Sequence, residues 1–213
     1  MEKHRKLLKL EKRIKECRRC RLWSIRVNAV PGEGPANAKI MFLGQNPGRN
    51  EDAQGKPFVG MSGKFFEKLL SQIGLERSEV FITGVVKCHT PKNRPPVKDE
   101  VEACKPFFLE QIRIIKPRLI VVLGNVAFKA LFPTEKVSLS KSHGKLMRKR
   151  GIAYFPTFHP AAGMRFPSVR RKMEEDFEKL ERLILTRLSD SGLAREECRG
   201  KSDFRIYRSI KNG

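Results

Sequence analysis

The sequence predicts an α/β fold, doubly wound in three α/β/α layers around a central four-stranded parallel sheet. Four short apolar runs carry that expectation, at residues 39–44, 80–86, 119–124 and 153–158, each bounded by Gly, Pro or polar residues and separated by segments of helical pattern. Strands that read as continuous apolar runs, rather than as apolar and polar in alternation, are buried on both faces. They need helices on each side and right-handed crossovers between them. A chain of 213 residues is long enough for one domain with a substantial core.

Taken in order, residues 1–16 read as a helix with Leu7, Leu8, Leu10 and Ile14 on or near one face, ending at the pair Cys17 and Cys20. The run 39–44 reads as a buried strand stopped by a tight loop containing Asn and Pro. Helical patterns over 63–73 and 97–115 lie between the first three strands, and a fourth strand follows at 153–158. After about Leu185 the pattern decays into Ser, Gly and charge. Residues 1–185 are therefore expected to form one domain and 186–213 a basic C-terminal extension, whose role as an arm or as a mobile segment stays open.

Charge narrows the partner. Lys and Arg number 45 against 23 for Asp and Glu, a formal net charge of +22, well beyond what solubility requires. Such an excess points to a polyanion, with nucleic acid ahead of membrane surfaces and acidic proteins. The amphipathic N-terminus lacks the apolar block of a signal peptide, and no run is long enough to cross a bilayer, so an intracellular protein without a membrane partner is expected. In a reducing compartment the five cysteines are poor disulfide material, and Cys17, Cys20, Cys88 and Cys104 read better as metal ligands or core residues. Two residues separate the first pair, then 67 and 15 separate the next ones. A structural zinc site usually repeats the close pair, so zinc fits poorly and stays open on spacing alone.

Each strand is followed by an unusual loop: Gly44-Gln-Asn-Pro-Gly48, Lys87-Cys-His-Thr-Pro91, Gly124-Asn125 and His159-Pro160. Loops at the carboxyl ends of parallel strands converge on one crevice, so the four are expected to share a site. Together with Cys17-Arg-Arg-Cys20, Glu51-Asp52, Gly55-Lys-Pro-Phe-Val-Gly60, Ser62-Gly63, Val86-Lys-Cys88, Asn93-Arg-Pro95, Cys104 and Thr157-Phe-His-Pro160, they make the chain resemble the uracil-DNA glycosylase superfamily. The resemblance is to its iron-sulfur branch, often called family four, and runs from about Cys17 to Leu185.

That resemblance implies a monofunctional glycosylase that hydrolyses the N-glycosidic bond of uracil or a 5-substituted uracil in double-stranded DNA, during base excision repair. A monomer is expected. The reaction develops positive charge on the sugar and negative charge on the departing base, so it needs both stabilised and a water supplied. His159 matches the residue that hydrogen-bonds the developing oxyanion. Asn46 occupies the water-positioning place, where a neutral amide can orient a water without deprotonating it; Glu51 is the alternative. Gln45 belongs to the same base-binding loop. Phe58 matches the aromatic that stacks on the extruded base. Ser62 and Gly63 open a helix whose amides could hold a phosphate, Lys87, Arg94 and Arg165 are candidate phosphate contacts, and Met164 with Arg165 are candidates for the wedge that enters the duplex. The four cysteines are implied to hold a four-iron four-sulfur cluster in a structural role, with Cys198 unmatched.

The sequence also departs from that branch. Asn46 stands where the iron-sulfur enzymes usually have Gly or Ala, and Gly84 stands where they carry an Asn whose amide reads the uracil edge. Gly48 lies where the strictest uracil enzymes place a Tyr that blocks the 5-position. The departures suggest a roomier pocket that tolerates 5-hydroxymethyluracil, with Asn125 as a substitute reader. The rival reading from another class is a non-catalytic iron-sulfur protein that binds nucleic acid with the same fold. A nucleotide-binding α/β protein ranks last, since no phosphate-loop Lys-Ser or Lys-Thr signature is present.

Overall fold

The computed structural model describes residues 1–134, 137–187 and 205–207. Its sheet is built from β1 (Ile40–Gly44), β2 (Phe81–Gly84), β3 (Leu119–Leu123), β4 (Leu146–Lys149), β5 (Ile152–Thr157) and β6 (Arg205–Tyr207), in the order β2-β1-β3-β5-β4-β6. β1 and β3 are buried at every position, as their unbroken apolar sequences require. Parallel pairing joins β1 to β2 and β3, and β3 to β5. These are the four strands the apolar runs predict.

The four-strand count is corrected by β4, which pairs antiparallel to β5, and by β6, which pairs antiparallel to β4 at the sheet edge. β4 escapes sequence reading because Leu-Met-Arg-Lys is too short and too polar to register as a buried strand. It forms a tight hairpin with β5 through Arg150 and Gly151, both at positive φ (49° and 77°), with Lys149 paired to Ile152. Positive φ at both central residues is the two-residue turn that matches strand twist. β2 also ends earlier than the expected 80–86. The amides of Val85 and Val86 leave the ladder to bond the Gly44 and Gln45 carbonyls, so the chain bends across the end of β1.

Successive side chains of a strand point to opposite faces, and the core divides accordingly. Met41, Leu43, Ile120 and Val122 join α1 (Glu2–Lys15), α4 (Lys98–Ile115) and α5 (Asn125–Leu131) through Leu10, Ile14, Phe107, Phe108 and Phe128. Ile40, Phe42, Val121 and Leu123 join α3 (Met61–Gln72) and α8 (Pro167–Arg187) through Phe66, Leu69, Leu70, Met173 and Phe177. In α1, Leu10 and Ile14 are buried whereas Leu8 is 52% exposed, so the apolar stripe is narrower than the sequence suggests. The short helices α2 (Arg49–Gln54), α6 (Leu139–Ser142) and α7 (Pro160–Arg165) complete the described chain. Among the described residues no helix is long and apolar enough to cross a membrane. Cys198 and most of the 186–213 extension lie outside them.

Candidate active site

From β1 the chain passes to β2 on one side and then crosses to β3 on the other side of β1. That switch point opens a crevice at the carboxyl ends of the strands. A cleft of about 730 Å³ lies there, lined by the loop after β1, Gly84 at the end of β2, Pro57, Phe58, the start of α3, Asn93, His159 and residues of α7. Gln45, Asn46, Phe58, Ser62, Gly84, His159, Met164 and Arg165 all border it, as does Glu51.

His159 is fixed by local backbone chemistry. It is the N-cap of α7, whose first helical residue is Pro160. Its Nδ1 accepts the Ala161 amide at 3.2 Å, which leaves the proton of the neutral ring on Nε2. Burial pushes the imidazole pKa down to about 4, opposed by the negative charge of Glu51. The ring is therefore neutral near pH 7 and presents an N–H donor. Gly124 seats it: a Cβ there would lie 2.9 Å from the His159 Cβ.

Asn46 is held at both ends of its amide. Gln45 Nε2 donates to its Oδ1 at 2.8 Å, while its Nδ2 donates to the Pro47 carbonyl and to Thr90 Oγ1 at 2.9 and 3.2 Å. Oδ1 retains one acceptor site for a water. Thr90, which fixes this orientation, was present in the sequence only as part of a loop after a strand. Glu51 is buried, and its Oε1 accepts the amides of Val59 and Gly60 at 2.9 and 2.7 Å. Its Oε2 lies 2.5 Å from where a Cβ on Gly48 would sit, so glycine at 48 makes room for that carboxylate. Phe58 stands 5.7 Å from the His159 ring, the two planes 26° apart.

Gly63 lies beneath the cleft rather than in it. A Cβ there would fall 2.0 Å from the Phe58 carbonyl oxygen, so this glycine allows the start of α3 to pack under Phe58. Met164 and Arg165 are exposed on α7, next to Phe166, which is 48% exposed. Met61, 71% exposed at the opening of α3, also lines the cleft, and nothing in its sequence context singled it out.

Three further expected site residues, Lys87, Asn125 and Arg94, lie outside the cleft. Lys87 is 1% exposed and directs Nζ to Thr83 Oγ1, Gly84 O and Gln111 Oε1 at 2.6 to 2.7 Å. An amine with three internal acceptors and almost no exposed surface, whose pKa burial pushes down to about 7, cannot reach a phosphate, so that expectation is corrected. Asn125 is exposed at the start of α5 and does not border the cleft. Arg94 is one-third exposed and forks onto Glu100 at 2.6 and 2.8 Å.

The four cysteines converge. Cys17, Cys20, Cys88 and Cys104 line one small cavity with Trp23, Arg26 and Phe107. Arg26 Nη1 donates to Cys88 Sγ at 3.1 Å, and the Lys87 amide donates to Cys104 Sγ at 3.3 Å. Among the described residues no three His, Cys, Asp or Glu side chains are close enough to share one ion. Four cysteines lining one cavity form an all-sulfur donor set that could hold a metal centre.

Comparison with known proteins agrees with this architecture. Residues 31–183 match the family model described as the uracil DNA glycosylase superfamily. The chain belongs to that superfamily. It is 45% identical to a type-4 uracil-DNA glycosylase of Sulfurisphaera tokodaii, covering 84% of this chain and 86% of that protein. A type-4 uracil-DNA glycosylase of Thermotoga maritima is 41% identical over 82% of this chain and 93% of its own. A type-5 uracil-DNA glycosylase of Pyrobaculum aerophilum is more distant, at 28% identity over 73% and 76%.

Proposed function

We propose that this superfamily member hydrolyses the bond between uracil, or a 5-substituted uracil, and deoxyribose in double-stranded DNA. It is an enzyme, a DNA N-glycosylase, acting in DNA repair alongside the genomic DNA, with residues 1–185 as its glycosylase domain. The observation that carries the reading is the pairing, in one cleft, of a neutral imidazole bearing an Nε2 proton with a clamped amide that has one acceptor site left. In the reaction, the departing base gains negative charge on an oxygen that the His159 Nε2–H stabilises. Asn46 Oδ1 orients the water toward the sugar carbon, which is already cationic and needs little base strength. Phe58 stacks on the flipped base, the first amides of α3 with Ser62 hold a phosphate, and Met164 and Arg165 occupy the gap left in the duplex. Single-turnover excision from duplexes holding uracil, 5-hydroxymethyluracil, thymine or hypoxanthine tests the proposal. No release of any base would sink it in favour of a non-catalytic binding protein.

Cys17, Cys20, Cys88 and Cys104 would hold a four-iron four-sulfur cluster. Hydrolysis moves no electrons, so a cluster held by these residues would supply a cross-link between the end of α1, the segment after β2 and α4. Purified protein is expected to be brown and to contain about four irons per chain. One zinc per chain with no iron would refute the assignment.

With a net charge of +22, DNA binding is expected to be dominated by counterion release. The logarithm of affinity should fall linearly with the logarithm of salt concentration, with a slope of about −3 or steeper, corresponding to several phosphate contacts. Fluorescence anisotropy on a labelled duplex across a salt series measures the slope, and a flat response contradicts the mode of binding.

A further inference from the structure

Phe58 has a backbone φ of 52°, in the left-handed region that costs a bulky non-glycine side chain energy and persists only where its surroundings impose it. The surroundings are on hand. Arg77, in the short 3₁₀ turn Arg77–Glu79 ahead of β2, donates Nη1 to the Phe58 carbonyl at 3.2 Å and Nη2 to the Pro57 carbonyl. On the other side of the residue, the Val59 and Gly60 amides are tied to Glu51 Oε1. The chain is thus gripped by its carbonyls before the bend and by its amides after it.

Arg77 is itself held in place. Its side chain is 20% exposed, Nε meets Glu33 Oε1 and Nη1 meets Glu67 Oε1, each at 3.2 Å. It does not border the cleft. The space around Phe58 is cut to match. A Cβ on Gly44 would come within 2.9 Å of the Phe58 ring, and one on Gly63 would strike its carbonyl. A planar guanidinium can serve two adjacent carbonyls and two carboxylates at once, which a lysine ammonium cannot do in the same geometry.

We infer that Arg77 is a positioning residue, which holds Phe58 in its left-handed conformation so that the ring faces the base-binding cleft. The inference rests on the glycosylase reading, in which Phe58 stacks on the extruded base. Stacking on an aromatic ring is sensitive to ring placement, so loss of the grip should cost much of what the ring contributes.

The test is a double-mutant cycle. Single-turnover uracil excision and melting temperature are measured for the wild type, Arg77→Gln, Phe58→Ala and the double variant. Arg77→Gln should slow excision about tenfold when Phe58 is present, and by less than about twofold when it is absent. Its effect on melting temperature should be the same in both backgrounds. Arg77→Lys guards against a folding defect: it keeps a cation between Glu33 and Glu67, so it should melt closer to the wild type yet lose excision as Arg77→Gln does. Equal excision losses with and without Phe58 would overturn the inference. So would a crystal structure of either Arg77 variant with Phe58 still at its left-handed φ. If the wild type released no base, the glycosylase reading would fail instead, and the Phe58 backbone in the Arg77 variants would still decide what Arg77 holds.

Discussion

His159→Ala is expected to slow single-turnover uracil excision by about 10²-fold or more while leaving DNA affinity within about twofold, the pattern of losing a donor aimed at charge that develops only in the transition state. The expectation follows from tautomer and charge together. As N-cap of α7, Nδ1 is occupied by the Ala161 amide, so Nε2 carries the proton and can donate to the departing base. Burial holds the folded-state pKa at about 4, below the ordinary value near 6.5. The ring therefore stays neutral through the physiological range, and the rate should show no His159 break near pH 6.5 but one near 4. The same shift has a stability consequence of defined sign. Between pH 6.5 and 4 the unfolded chain binds a proton at this residue and the folded chain does not, so His159 withdraws stability as pH falls through that window and costs nothing above it. Asn46→Ala should cost a similar factor in rate, because Thr90 and Gln45 orient the amide for a water. Near-native excision by His159→Ala, or a break near pH 6.5 that this variant abolishes, would remove the imidazole from the proposed chemistry.

The parts of this molecule that were legible in sequence are those that one residue type in one local pattern can specify. Largely apolar runs gave the four parallel strands, because burial on both faces leaves few polar positions, here Thr83 and Thr157. Of the four loops expected to share a site, those after β1 and β5 line the cleft for the same topological reason, whereas the segment after β2 adds only Asn93 and Gly124-Asn125 does not reach it. The β4–β5 hairpin was not: its turn uses Arg150 and Gly151 rather than an Asn-Gly pair, and its outer strand is half polar. Lys87 shows a different limit. A lysine between apolar residues and a cysteine reads as a surface cation near DNA, but its acceptors, Thr83, Gly84 and Gln111, come from β2 and from α4. Only the fold brings them together. Arg77 was invisible for the same reason, since its four partners are scattered between Glu33 and Glu67 in sequence.

Gly84→Asn is expected to move the ratio of uracil to 5-hydroxymethyluracil excision toward uracil by about one power of ten or more, the scale set by a buried polar group that one substrate satisfies and another does not. Gly48 and Gly84 are among the glycines that leave the border of the native cleft without side chains. Behind Gly48 stands the Glu51 carboxylate, with Oε2 against the space a side chain would fill. A 5-hydroxymethyl group brings a hydroxyl to a border of this kind, whereas the methyl of thymine leaves the polar group unpaired and should be a poor substrate. The structure adds a cost to the substitution. A Cβ at 84 would lie 3.0 Å from the Val86 carbonyl oxygen and 3.2 Å from that of Gln45, so the backbone after β1 and β2 must yield by a few tenths of an ångström. Since Gln45 adjoins Asn46, some absolute rate should be lost on every base, and the ratio between bases is the quantity that carries the inference. Single-turnover excision from matched duplexes holding each base, in the native protein and in Gly84→Asn, measures it. A native enzyme confined to uracil, with a ratio that the variant leaves unchanged, would show that the missing side chain at 84 does not set the choice of base.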